Sequence, residues 1–163
     1  MSSTRVKPED CIGCLIESGK VDASEFVILR TDFFTVNQDL DVPIPGFLII
    51  SSRRHVFSVE EFTLEEAKEF GKLVRLVRKG MREIFAANTV YLFQNEAGDS
   101  HFHLWMFPRQ DWMEPFGDKI ESVRPIIEYA KTHMKTRAGW EATKQLISQM
   151  RAFLGSADSS SQP

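Results

Sequence analysis

With 163 residues, 42% of them hydrophobic and 26% charged, the chain can bury a real core without disulfide staples and suits one globular domain. A net charge of −3 supplies no broad basic field, so neither specific nucleic-acid binding nor an anionic membrane surface is expected, and any anionic ligand must be held by a local site. No apolar run approaches bilayer length and the first ten residues lack the apolar segment of a secretory leader, which makes the cytoplasm the expected location.

Residues 1–10 are polar and expected to be loose. Cys11 and Cys14 follow as a CxxC, the only cysteines of the chain. Three positions apart, they argue against a structural disulfide and leave metal binding or redox chemistry. A thioredoxin-like redox pair normally sits between a strand and a helix, and no clear strand precedes this one, so zinc is favoured. Residues 26–30 and 33–37 are rich in β-formers and are separated by Thr31 and Asp32, which predicts a hairpin. The loop at 38–46 contains Pro43, Pro45 and Gly46 and leads into an apolar strand at 47–50. Asp39 and Asp41 on that loop read as solvated turn residues, although a carboxylate accepting two hydrogen bonds is also what recognition of a ribose diol requires.

Thr63 and Glu66 form a capping box that opens a helix. Its apolar stripe is Phe70, Leu73, Val74, Val77, Met81, Ile84 and Phe85, with charged residues on the other face. Residues 90–93 then read as a strand, and the turn at 94–98 returns an antiparallel partner at 99–109. Two helical stripes follow, at 120–134 and 140–154; Pro125 must kink the first or mark its true start. One domain is expected over 1–154, with a core at about 11–110, C-terminal helices at about 116–154 and a disordered tail at 155–163.

The segment at 99–109 carries the most chemistry. Period-2 alternation sends His101, His103 and Trp105 to one face and Phe102, Leu104 and Met106 to the other, which predicts one core face and one chemical face. Two strand histidines can merely decorate a solvated surface. With Cys11, Cys14 and His55, however, a histidine of this strand gives the chain a Cys, Cys, His, His set of the kind zinc favours.

The CxxC, the apolar strand followed by Arg53, Arg54 and His55, the long helix, and the run from Gly98 to Arg109 with its His-x-His-x-Trp core resemble, in order and spacing, the histidine triad (HIT) superfamily. The C-terminal helices are similar, more weakly, to an appendage of some bacterial members. The resemblance implies an α+β fold, an antiparallel meander sheet with one long helix packed on it, and a possible homodimer. It implies a structural zinc held by Cys11, Cys14, His55 and His101. It also implies that His103 is the nucleophile of a nucleotidyl hydrolase or transferase, cleaving a nucleoside phosphoanhydride through a covalent nucleotidyl-histidine, with a nucleotide or dinucleoside polyphosphate as the small-molecule partner.

By the same resemblance Asp39 contacts ribose, Leu40 lies near the base, Ser100 meets a phosphate oxygen, and Asn95 is a further polar contact. Phe33 and Phe34 could line the pocket but read first as core. The chain departs from the motif at Trp105, which replaces the third histidine. An indole offers one N–H and cannot act as a proton-donating imidazolium, so leaving groups needing little protonation are favoured. A catalytically impaired nucleotide-binding protein with a structural zinc site is the alternative reading.

Overall fold

In the computed structural model, residues 7–96 and 101–159 are described. Ser100, assigned above to a phosphate contact, lies outside them. The elements are helix α1 (Ile12–Glu17), strands β1 (Val27–Arg30), β2 (Phe34–Gln38) and β3 (Leu48–Ser52), helix α2 (Leu64–Phe85), strands β4 (Val90–Phe93) and β5 (His103–Pro108), and helices α3 (Val123–His133) and α4 (Arg137–Ser159). The five strands form one antiparallel sheet in the order β1-β2-β3-β5-β4, the α+β arrangement expected.

The capping box at the start of α2 forms as predicted, with Thr63 accepting from the Glu66 amide and Glu66 accepting from the Thr63 amide. From there the stripe through Leu73, Val77 and Met81 buries against Phe34, Val36, Leu48, Ile50 and Met106 of the sheet. The same core takes in Leu146, Ile147, Met150 and Leu154 of α4. Phe34 is therefore core and not pocket lining.

The expectation of one core face and one chemical face is corrected. Phe47 and Phe107 bury on the other side of the sheet against Met113, Val123, Ile126 and Ala130, with Trp105, Tyr91 and Phe93 packed beside them. The two C-terminal helices separate, α4 joining α2 on one face and α3 covering part of the other. Two boundaries differ by more than three residues. β5 starts at His103, because Phe102 pairs through its amide and carbonyl with Val56 and Ser52 outside the ladder. α4 continues to Ser159, so residues 155–159, read as tail, are helical. Leu154 anchors the helix in the core, and adding further hydrogen-bonded residues to a formed helix is easy even for polar ones. Pro125 falls in the first turn of α3, where its missing N–H has no helical partner to lose.

Candidate active site

Cys11 caps α1 and Cys14 lies in that helix, which turns both thiols toward the end of the sheet. His55 comes from the loop after β3, and His101 from the segment leading into β5. The structure brings these four together: their ligand atoms all lie within 4.8 Å of one another. Cys11 Sγ is 3.4 Å from His101 Nδ1, Cys14 Sγ is 3.5 Å from the same nitrogen, and Cys14 Sγ is 3.1 Å from His55 Nδ1. Ligands of a tetrahedral zinc, with bonds of about 2.0–2.3 Å, stand roughly 3.5 Å apart, so the three short donor pairs already match the ion and the wider ones need only close in on it.

The surroundings prepare the donors. His101 Nε2 donates to the Ser52 carbonyl, which fixes the tautomer and leaves Nδ1 as the ligand atom. Burial lowers the pKa of His101 against the opposing effect of that carbonyl, keeping the ring neutral, as a ligand must be. Burial, the Cys11 hydrogen bond and the charges of Cys11 and Glu17 push the Cys14 thiol up to about 11, so a metal entering the site displaces its proton. Glu17, at the end of α1, receives Arg30 at 2.9 Å, Arg53 at 3.2 Å and the Thr35 hydroxyl, and so pins the CxxC helix to β1, β2 and the loop bearing His55.

His103 faces a neighbouring cavity of about 490 Å³. Its Nδ1 donates to the His101 carbonyl at 2.7 Å, which leaves the Nε2 lone pair unshared. Asp39 and Leu40 line the same cavity. Asp39 Oδ1 accepts from the amides of Asp41 and Val42 at 2.9 and 2.8 Å, while Oδ2 takes no hydrogen bond from a described residue. Burial raises the Asp39 pKa, partly offset by the two amides.

Trp105 packs edge-on against His103, with ring centroids 4.2 Å apart. It is the wall between this cavity and a second one of about 760 Å³, and Asn95 lines only the second. Asn95 is thus not beside His103. Residues that sequence reasoning missed include Ile12 and Ile16 of α1, and Ile49 and Ser51 of β3. Alternation in β3 could have found the last two: Leu48, Ile50 and Ser52 are buried, which turns Ile49 and Ser51 to the side where they pair with Trp105 and His103 of β5.

No protein-family model matches the chain. It is similar to the protein hit of Bacillus subtilis (strain 168), 26% identical over 114 residues that cover 67% of this chain and 77% of that protein. A zinc-bound histidine triad family protein from Mycobacterium smegmatis superposes with a TM-score of 0.65 at 17% identity, over 94% of this chain and 99% of that one. A hypothetical histidine triad nucleotide-binding protein from Sulfolobus tokodaii gives a TM-score of 0.62 at 17% identity, over 88% and 93% of the two chains. The two structural likenesses show that the chain has the histidine triad fold, and its own residues supply a Cys2His2 cluster able to hold a metal ion.

Proposed function

We propose that the protein is a nucleotidyl hydrolase or transferase that uses His103 as nucleophile, with a structural zinc at Cys11, Cys14, His55 and His101. The observation that carries this reading is the hydrogen bond from His103 Nδ1 to the His101 carbonyl, which turns Nε2 to a cavity also lined by a half-used carboxylate, Asp39. A nucleoside phosphoanhydride bound there would place ribose hydroxyls at Asp39 and the base against Leu40, Ile12 and Ile16.

The lone pair of Nε2 forms a bond to the α-phosphorus while the bond from phosphorus to the bridging oxygen breaks, its electron pair leaving with the second phosphate. The imidazole keeps its Nδ1 proton throughout, shared with the His101 carbonyl. Water or another acceptor oxygen then attacks phosphorus, the N–P bond breaks with its pair returning to Nε2, and the acceptor's proton passes to solvent. A phosphate leaving group needs no proton at neutral pH, so Trp105 in place of an acid is compatible with turnover. Zinc, when bound, supplies a cross-link between the CxxC helix, the His55 loop and the segment that carries His103; two thiolates and two imidazoles fill a tetrahedron and leave no position for a catalytic water. The zinc-bound Mycobacterium relative and the nucleotide-binding name of the Sulfolobus relative support both halves of the proposal.

The replacement of a proton donor by Trp105 favours one second reading, a protein that binds nucleotide without turnover. Intact-protein mass spectrometry after brief mixing with dinucleoside polyphosphates and nucleotide sugars separates the two. The expected result is a mass increase of one nucleotidyl group in the wild type and none in His103→Ala. Nucleotide binding with neither adduct nor product would establish the binder instead.

A further inference from the structure

We propose that Lys131 and Lys135, at the C-terminal end of α3, are positioning residues for substrate binding: by holding Asp41 they orient the Asp39 carboxylate toward the ribose. The assignment rests on the nucleotide-binding reading of the cavity beside His103. It gives α3, which contributes none of the residues lining that cavity, a part in the chemistry.

Asp39 can accept from a ribose diol only if one carboxylate oxygen stays turned to the cavity. Its Oδ1 accepts from the amides of Asp41 and Val42 at 2.9 and 2.8 Å, so the direction of Oδ2 follows the path of the backbone at those two residues. Val42 is fixed by packing. Its side chain is 3% exposed and belongs to the cluster with Val123, Ile126 and Ala130 of α3. Asp41 has no such anchor. It is exposed, and neither Leu40 nor Asp41 takes part in a backbone–backbone hydrogen bond among the described residues.

What ties Asp41 down is its side chain. Oδ2 lies 3.2 Å from Lys131 Nζ, and Oδ1 receives Lys135 Nζ. Lys131 stands in the last turn of α3 and Lys135 two positions past its end, where the negative pole of the helix favours cations. The two neighbouring carboxylates thus have opposite fates: α3 engages both oxygens of Asp41, and the Asp41 amide in turn engages one oxygen of Asp39 and leaves the other to the cavity. The charge of Lys131 also acts on Asp39, against the effects of burial and of Asp41, and so favours the ionised, accepting form.

Exposed ion pairs contribute little to stability, and stability is not what this clamp supplies. A loop tip that visits several conformers binds ribose in proportion to the population of the competent one, so loss of the clamp weakens binding only for ligands that use Asp39. That selectivity separates positioning from a general structural role.

Calorimetric titration of the full chain with nucleoside monophosphates and their 2′,3′-dideoxy counterparts tests this. Adenosine, guanosine and uridine series are compared, using the one that binds tightest. The ribonucleotide should bind about tenfold tighter or more than the dideoxynucleotide, and Asp39→Ala should abolish the gap. The double variant Lys131→Met/Lys135→Met, which keeps the apolar stems, should narrow the gap to about threefold or less while the dideoxynucleotide affinity stays within about twofold. Asp41→Asn should narrow it equally, and the triple variant no further, as for residues acting through one contact. A gap that keeps its full width in the double variant overturns the clamp alone, as does an equal loss of affinity for both ligands, which would mean that the lysines attract the phosphate directly or only support the fold. No gap in the wild type, or one that survives Asp39→Ala, overturns the ribose role of Asp39 and this inference with it. No nucleotide binding in any series overturns the nucleotide-binding reading itself.

Discussion

A methyl group on Gly13 would lie 2.7 Å from Cγ and 2.8 Å from Nδ1 of His101, closer than carbon approaches a ring atom. The second of the two residues between the cysteines is therefore glycine because the His101 ring occupies the space a side chain would need. Gly13→Ala should displace that ring and lower zinc affinity about 10- to 100-fold, measured by competition with a chromogenic chelator, while α1 itself gains helix propensity. Unchanged affinity would show that the ring has room to move. Glu66 illustrates a different residue-scale effect. It receives both Nε and Nη2 of Arg54, at 3.0 and 2.9 Å, as well as the Thr63 amide at 2.7 Å. The Arg54 guanidinium, first among these causes, lowers the carboxyl from its ordinary 4.5 to about 2. A folded value below the unfolded one stabilises the protein fully above pH 4.5, and that stabilisation is lost as pH falls through about 2. Since Arg54 is half in water, screening reduces the effect, and Glu66→Gln should cost about 1–2 kcal/mol at pH 7. Urea unfolding of the pair at pH 7 and pH 3 should show the difference shrinking at the lower pH; a constant difference would assign it to packing.

At the level of elements, α4 is part of the sheet's core and not an addition to it. Arg151 donates to the carbonyls of Ser24, Glu25 and Val27 beside and within β1, and Ile147, 1% exposed, packs into the cluster shared by α2 and the sheet. Gly80 of α2 permits the approach, since a Cβ there would stand 2.9 Å from both Met150 and Phe153 of α4. Ile147→Ala should therefore lower unfolding free energy by about 2–4 kcal/mol, read as a shifted midpoint at unchanged slope in a urea titration. A loss under about 1 kcal/mol would mean that α4 unfolds on its own. Elements with strong periodicity were legible from the chain: the capping box and stripe of α2, the alternation of β3 and β5, and both C-terminal helices. α1 was not, because Ile12, Leu15 and Ile16 span too short a stretch to show a helical period, and its stability derives from Glu17 and the cysteine cluster. The division of the C-terminal helices between the two faces was hidden for a related reason: an amphipathic stripe tells that a helix is buried on one side, not against which surface.

Across the whole molecule, the Cys2His2 cluster joins segments far apart in the chain, with Cys11 and His101 separated by 90 positions and Cys14 and His55 by 41. Cross-links between distant segments restrict the unfolded chain most, and a metal that binds only the folded donor arrangement adds its binding free energy to stability. The same cluster lies next to the proposed nucleophile: His101 turns its side chain into the Cys2His2 cluster and accepts from His103 Nδ1 with its carbonyl. Removing zinc with a strong chelator should then lower the melting temperature and weaken nucleotidyl-adduct formation together, and stoichiometric zinc should restore both along one titration curve. The order of events separates structural from catalytic metal. If chelation abolished adduct formation at a temperature where circular dichroism and melting were unchanged, zinc would be acting on the substrate. If the melting temperature fell while adduct formation persisted at low temperature, the His101 carbonyl would hold its place without the metal, and zinc would serve stability alone.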